Sequence, residues 1–283
     1  MPKFTLQALN DIKVKKLLLI AGILSIAISI QAQDTTQTRK ASREERKAEK
    51  RERINAMIKQ EEEGVLSFHK QNVFGFMLRN NGYGAFYELG KMKSPRRSNL
   101  YSIEFSEIKH EKEEKSSSGA FFFGNPYIFG KINHFYQLKL GFGQQYIFGQ
   151  KGNKNGVAVT GIYQGGLSLG LLRPYYLEVQ DVNNNQNRTI KFTPEDSALF
   201  VDNSVILGGA GFGKGWNEMK VQPGAYGKVA LRFDYGRFNE MVSALEIGLS
   251  VDAYAKKIPL MLYNEDKQIF VQGHIAILFG RRR

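Results

Sequence analysis

Hydrophobic and polar residues alternate along most of the chain that follows Gly64. The clearest run spans residues 244–254, where every second side chain is apolar, and a similar run spans residues 268–279. Successive side chains of a β-strand point to opposite faces, so a period of two predicts strands with one apolar and one polar face. Each run has about ten residues or more, the length that a tilted strand needs to cross a bilayer.

Further runs of this kind give eight predicted strands in all. They lie at residues 74–79, 83–89, 101–106, 136–148, 157–171 and 225–235. Asn80-Asn81-Gly82 predicts a tight turn after the first strand. The connections at residues 94–98, 152–156 and 236–240 are short, whereas those at residues 110–133, 173–222 and 256–267 are longer. The pattern predicts an all-β fold, an antiparallel eight-stranded transmembrane β-barrel.

Alternation alone leaves open which face of the barrel points outwards. A soluble barrel of the lipocalin kind would hold the apolar set inside, whereas a membrane barrel turns that set towards lipid. Glycines in the polar set suit a crowded interior, and the charges of that set nearly balance, as charges kept from water must. Aromatic residues stand near the strand ends, as in the aromatic girdles of membrane barrels. These residues are Tyr83, Tyr101, Tyr136, Phe148, Tyr235 and Phe279.

The polar set predicts a network of paired side chains in a plugged lumen. Eight strands enclose an interior just wide enough for side chains, so an open diffusion pore is not expected. His274 is interpreted as a hydrogen-bonded member of this network rather than a catalytic group. The predicted network comprises Arg79, Glu88, Glu104, Lys139, Lys228, Arg232, Asp234, Glu246, Asp252 and His274.

The N-terminal part of the chain has a different character. Residues 1–32 combine lysines, a short apolar core and a small residue at Ala32, which predicts a secretory signal peptide. Residues 33–66 are highly charged and predict a helical periplasmic tether, and the barrel domain spans residues 67–283. A helix that is polar on all sides is a solvated tether or a docking helix. In the second case Ile54, Met57 and Ile58 would contact a partner.

Composition excludes several functional classes. The 283 residues carry a formal net charge of +13 and no cysteine. Thiolate catalysis, thiolate metal sites and disulfides are therefore excluded. An exported chain meets little nucleic acid, so the basic charge is expected to attract lipid phosphates or acidic sugars instead. No cofactor is expected, because the four histidines lack metal-ligand spacing.

Two loop segments carry further candidate features. Residues 208–215 match the GxxxxGK pattern of a phosphate-binding loop, but Gly215 replaces the required Ser or Thr, which favours an edge-forming or flexible loop. The aromatic segment at residues 121–129 should not lie bare in water. It could cover the barrel mouth, enter the outer leaflet or contact another protein through Phe121, Phe122, Phe123, Tyr127 and Phe129.

With its signal peptide, alternation, loop asymmetry and a last strand ending on Phe279, the chain resembles the small eight-stranded outer-membrane β-barrel proteins of bacteria. It departs from them in carrying Gly280 and three arginines after that aromatic residue. The resemblance implies a bacterial outer membrane, with lipids as partners and the tether in the periplasm. We expect a structural or interaction subunit of an envelope complex, bound to protein partners through the tether or the outer loops. The alternatives are a narrow channel and a lipid-modifying enzyme that would use His110, Ser116 and Ser117.

Overall fold

The computed structural model shows eight long antiparallel strands that close into a barrel. In chain order, the thirteen strands are β1 (Lys70–Arg79), β2 (Gly82–Ser94), β3 (Arg97–Ile108), β4 (Lys115–Ser116), β5 (Tyr127–Ile128), β6 (Asn133–Gly149), β7 (Ala158–Pro174), β8 (Tyr176–Asp181), β9 (Gln186–Lys191), β10 (Ile206–Gly209), β11 (Lys220–Asp234), β12 (Met241–Ile258) and β13 (Lys267–Arg282). The ring order is β1-β13-β12-β11-β7-β6-β3-β2. All eight strands predicted from alternation lie in this ring, and the predicted fold class is confirmed.

The residues that the structure describes are 44–52, 55, 69–117, 125–151, 156–181, 186–236 and 240–283. The chain divides into two units, Met1–Glu63 and Gly64–Arg283. In the first unit, residues 44–52 form a helix with exposed side chains. The predicted signal peptide, Ile54, Met57 and Ile58 lie outside the described residues. No helix in the described part of the chain is long and apolar enough to cross a membrane.

The apolar face of every wall strand points outwards. Burial alternates residue by residue along β1, and the other wall strands follow the same rule for most of their length. Each wall strand exposes at least one large apolar side chain, for example Phe76, Leu89, Ile103, Leu140, Leu167, Leu231, Ile247 and Ile277. A continuous apolar belt of this kind is suited to hydrocarbon and not to water. Because the apolar face points outwards, the fold is not a soluble barrel of the lipocalin kind, which would hold that face inside.

The two ends of the barrel differ in their connections. At one end, which we call the terminal end, β1 begins and β13 ends, and the connections are residues 95–96, 150–157 and 235–240. At the opposite loop end the connections are residues 80–81, 109–132, 175–219 and 259–266. Only the first connection at the loop end is a tight turn. The asymmetry of connection lengths read from the sequence is therefore present in the structure.

The long connections at the loop end fold into a cap of their own. Strands β10, β8 and β9 form a three-stranded sheet, and β4 pairs with β5. A one-turn helix, Ser197–Phe200, and a 3₁₀ turn, Trp216–Glu218, complete the 175–219 connection. The cap has an apolar core of its own, formed by Tyr127, Tyr175, Leu177, Val179, Ile190, Phe200, Val205 and Ile206.

Close approach of neighbouring strands requires glycine at several inward positions, and Gly166 of β7 makes this testable. A Cβ atom at Gly166 would overlap the carbonyl oxygen of Leu140 on β6. On the adjacent strand β11, a Cβ at Gly227 would meet nothing within 4 Å.

We expect Gly166→Ala to lower the free energy of unfolding by about 1–3 kcal/mol, because the wall must shift to fit the methyl group. Gly227→Ala is the matched control and should unfold like the wild type. Thermal unfolding in detergent, followed by circular dichroism, measures both, and equal midpoints for the two variants would contradict this account of the wall.

Candidate functional site

The lumen contains a first group of four buried charges contributed by four strands. Arg79 of β1 pairs with Glu104 of β3, and Lys139 of β6 lies 3.4 Å from the same carboxylate. The Lys139 ammonium also lies 2.7 Å from Asp252 of β12. The group therefore forms a continuous chain of alternating sign across the barrel interior.

A second group is centred on Glu246 of β12. Its carboxylate lies 2.9 Å from Lys228, 2.6 Å from Arg232 and 3.1 Å from the Nε2 atom of His274. The Arg232 guanidinium also donates a 2.6 Å hydrogen bond to Glu88 of β2. All five side chains are buried.

The two groups together balance their charges. The cations are Arg79, Lys139, Lys228 and Arg232, and the anions are Glu88, Glu104, Glu246 and Asp252. Charges withdrawn from water are tolerated only when each is paired and hydrogen-bonded. The lumen meets that condition by drawing opposite charges from strands far apart in the sequence.

Apolar, aromatic and uncharged polar side chains fill the rest of the interior, the last including Gln71, Gln137, Gln145, Gln164 and Gln272. At the loop end, Ile108, Phe135, Leu172, Tyr254, Ile258, Leu260, Met261 and Phe270 form one cluster. A second cluster contains Val73, Met77, Phe86, Val242, Ala244, Ala276 and Leu278. Inward glycines make room for large rings, because a Cβ atom at Gly141 would overlap the Tyr226 hydroxyl. The interior is thus packed with side chains, which fits the small radius of an eight-stranded barrel.

Asp234 is separate from the two central groups. It lies at the terminal end of β11, where its carboxylate contacts Arg282 at 2.6 Å and Lys151 at 3.3 Å. Asp234 was predicted to belong to the lumen network, whereas its partners Arg282 and Lys151 were not part of that prediction. The structure brings the other nine predicted residues together in the two groups and leaves Asp234 as an ion-paired clamp between the last strand and the 150–157 connection.

On the outer side of the wall, the cap covers one patch near the loop end. Trp216 stacks on Tyr136 with ring centroids 5.8 Å apart. The guanidinium of Arg173 lies 4.6 Å from the Trp216 ring and 4.7 Å from the Phe212 ring, and it donates a 2.7 Å hydrogen bond to the Phe212 carbonyl. Arg173 is only 2% exposed and Tyr136 5%. The prediction that Tyr136 belongs to a lipid-facing girdle is therefore wrong, because Trp216 covers it.

The glycine-rich segment at residues 208–215 forms part of the cap. Gly208 and Gly209 end β10, the edge strand of the small sheet, and Gly208 packs directly against the backbone of Asn125. The helix that a phosphate-binding loop needs is replaced by the single turn Trp216–Glu218. A cleft of about 360 Å³ lies beside this segment and is lined by Tyr176, Thr189, Gly213, Lys214, Gly215, Trp216, Asn217 and Glu218.

Ion pairs connect segments of the cap. Glu218 accepts hydrogen bonds from Lys191 and from the Tyr176 hydroxyl, and the Lys191 bond lowers the pKa of Glu218 and raises that of Lys191. Lys131 is buried and lies 2.6 Å from Glu113. Burial lowers the pKa of Lys131, although the Glu113 carboxylate opposes the shift. These pairs join the 109–132 connection to itself and the small sheet to the 3₁₀ turn.

Comparison with known proteins gives matches to solved structures alone. No protein-family model and no curated protein matches the chain. The matching structures are those of small bacterial outer-membrane β-barrels. The N-terminal barrel domain of Pseudomonas aeruginosa OprF is 11% identical, with 75% of this chain and 98% of that chain covered and a TM-score of 0.35. Ail of Yersinia pestis, solved with the heparin analogue sucrose octasulfate, is 7% identical, with 77% and 100% covered and a TM-score of 0.35. Neisserial surface protein A is 9% identical, with 76% and 97% covered and a TM-score of 0.37. Because these TM-scores lie below 0.5, the barrel architecture of this chain rests on its own strand pairing.

The predicted partner segment at residues 121–129 is only partly described. Phe121, Phe122 and Phe123 lie outside the described residues. Tyr127 is 5% exposed and belongs to the apolar core of the cap, against which Phe129 also packs. The structure therefore corrects the expectation for these two side chains, which stabilise the cap from within instead of facing a partner.

Removing one anion from the second lumen group should destabilise the barrel. We expect Glu246→Gln to lower the free energy of unfolding by about 3–5 kcal/mol, because Lys228 and Arg232 would stay buried with only Glu88 to neutralise them. The control is Glu265→Gln, which removes an exposed carboxylate at the loop end. Thermal unfolding in detergent measures the effect. A Glu246→Gln variant as stable as the control would show that the network does not hold the wall together.

Proposed function

We propose that the protein is a bacterial outer-membrane β-barrel that serves as a structural or interaction subunit of an envelope complex. The observation that carries this proposal is the packed lumen, which is filled by the paired charges and two apolar clusters. The ends and the outer wall are therefore the surfaces available for contacts. A barrel whose interior is filled in this way would act through what its ends and its wall contact.

The placement in an outer membrane is supported by the belt and by the connections. Small outer-membrane barrels have short periplasmic turns and longer extracellular loops. On that rule the terminal end faces the periplasm, and the cap faces the outside. The N-terminal sequence, with its predicted signal peptide and charged tether, agrees with export and with a tether on the periplasmic side.

The cap offers a surface suited to a protein partner. Phe212 is 69% exposed and Tyr263 is 79% exposed, and both lie in long connections of the loop end. Tyr263 also has a φ angle of 60°, a left-handed conformation that costs about 1–3 kcal/mol for a residue other than glycine. Exposed aromatic side chains are enriched at protein interfaces. These two residues are the cap side chains we assign to partner binding.

A lipid-modifying enzyme is a weaker candidate. The backbone N–H of His110 donates to Glu113 at 2.9 Å, and its Nδ1 atom accepts from the Lys112 backbone at 3.2 Å. The imidazole is thus engaged within its own turn. No hydrogen bond joins His110 to Ser116 or Ser117 among the described residues, and a nucleophile must lie within reach of its base.

The packed lumen predicts that the purified protein does not conduct. In planar bilayers we expect no steady ion current above the leak of the bare membrane, because charged and apolar side chains occupy the interior. A barrel of known conductance, inserted under the same conditions, controls for successful incorporation. Reproducible unitary current steps from the wild-type protein would instead support the narrow channel.

A subunit of a complex should leave the membrane with its partner. After gentle solubilisation and size-exclusion chromatography, we expect the wild type to elute with a second protein in stoichiometric amount. Replacing both exposed aromatics, Phe212→Ser with Tyr263→Ser, should reduce that amount by about tenfold or more, as loss of two interface anchors would. The control, Lys256→Ser with Lys257→Ser, alters the same end without touching an aromatic. A wild-type protein that elutes alone would contradict the complex-subunit role.

A further inference from the structure

The net charge of the barrel is confined to one end. The lumen is neutral, as its four cations and four anions show. At the loop end, the described residues within 107–132, 173–220 and 256–267 carry twelve basic and twelve acidic side chains. The terminal end has only two acidic side chains in the described part, Asp234 and Glu240. Its nine described basic side chains are Lys70, Lys91, Lys93, Arg96, Arg97, Lys151, Arg281, Arg282 and Arg283.

Most of these basic side chains point sideways from the wall. Every second residue of β1, β2, β3 and β13 points outwards, and six basic residues follow this alternation at the terminal end, five within the strands and one directly after β13. They are Lys70, Lys91, Lys93, Arg97, Arg281 and Arg283, and each is exposed. Arg282 and Lys151 differ, because both contact Asp234.

Five of the six residues lie on four consecutive strands of the ring, β13, β1, β2 and β3, and Arg283 directly follows β13. With Arg96 in the intervening turn, we call them the cationic arc. Lys70 and Lys91 are direct cross-strand partners, an arrangement of like charges that destabilises a sheet. Within the described residues, the one ion pair that the arc makes is Arg281 with Glu240 at 4.0 Å. Arg97 also lies over the Tyr146 ring, 5.6 Å from its centroid. Apart from Arg281, the cations of the arc make no ion pair with a described acidic side chain.

The depth of the arc matches that of lipid phosphates. The exposed side chain of Phe279 precedes Arg281 by two residues, and that of Leu89 precedes Lys91 by two residues. The exposed Tyr101 follows Arg97 by four residues. A strand rises about 3.3 Å per residue and the strands of such barrels are tilted by about 35–45°, so the arc lies roughly 5–10 Å beyond the edge of the belt along the membrane normal, a range that overlaps the head-group region. The head-group region of a bilayer begins at the edge of the hydrocarbon core and is about 5–8 Å thick on each side.

We propose that the cationic arc binds the phosphate groups of anionic lipids in the leaflet at the terminal end. This inference rests on the membrane placement proposed above. The outward direction of the arc favours lipid over a soluble acidic partner, because such a partner would approach along the barrel axis. The arc would fix the depth of the barrel and gather anionic lipid beside β13, β1, β2 and β3.

The test compares lipids that remain bound after extraction from a mixed bilayer. Wild-type protein is reconstituted into equimolar phosphatidylcholine and phosphatidylglycerol and then analysed by native mass spectrometry. The arc variant carries K91Q, K93Q, R96Q and R97Q. The control carries K112Q, K115Q, K256Q and K257Q, four exposed loop-end lysines for which the structure shows no ion pair with a described residue. All must fold as judged by circular dichroism.

We expect wild type and control to retain phosphatidylglycerol over phosphatidylcholine by about fivefold or more, because each basic group at a membrane surface favours anionic lipid. In the arc variant the ratio should fall towards one. The milder variant K91Q/K93Q should give an intermediate ratio, and it serves as the test if the fourfold variant does not fold. Equal ratios in all variants, or an equal loss in the control, would overturn the proposal. A wild-type protein that inserts into neither lipid would overturn the membrane placement, and the proposal with it, which is a distinguishable result.

Discussion

The pairing of β1 with β13 is the contact on which the remaining structure depends. Hydrocarbon offers no hydrogen-bond partner, so each backbone amide of a membrane wall must be satisfied by a neighbouring strand. The antiparallel register from Gln71↔Arg282 to Arg79↔His274 closes the ring and removes both edges. Closure after eight strands also sets a narrow interior. Side chains on the polar face then have no bulk water to meet, and the lumen network follows as the way to satisfy them.

Much of this could be predicted from the sequence because one simple periodicity carries it. The period of two assigned side chains such as Ile247 and Glu246 to opposite faces, and it assigned Arg79, Lys139 and Asp252 to the lumen. Which charge pairs with which could not be predicted, because partners such as Arg232 and Glu88 come from strands that the alternation leaves unordered. Ring order and stagger decide those pairs, and both are set by closure.

The cap was less predictable, since its residues follow no single period. Arg173 occupies an outward position at the end of β7, where a lipid-facing or solvated side chain would be expected. It is buried only because the 3₁₀ turn folds back over the wall and places Phe212 and Trp216 around it. The predictions for Tyr136 and Tyr127 were wrong for the same reason. Contacts made by the long connections bury these aromatic side chains, and the local sequence pattern does not show those contacts. A signal was present in Trp216, the one tryptophan of the chain, which lies just after the glycine-rich segment.

The lumen, the cap end and the terminal end differ in their charge, and each suits a different kind of contact. The packed lumen, filled by paired charges and apolar clusters, forms a core between two different ends. The cap end is neutral overall and presents Phe212 and Tyr263, features that suit contact with a protein surface by burial of aromatic area. The terminal end presents cations directed along the membrane plane, which suits lipid phosphates and leaves the axial face to the paired residues Asp234, Arg282 and Lys151. A partner bound at the cap would therefore meet a barrel already held at a fixed depth. In that arrangement the ion pairs of the lumen would hold the strands that carry the cap and the strands that carry the arc in one rigid barrel.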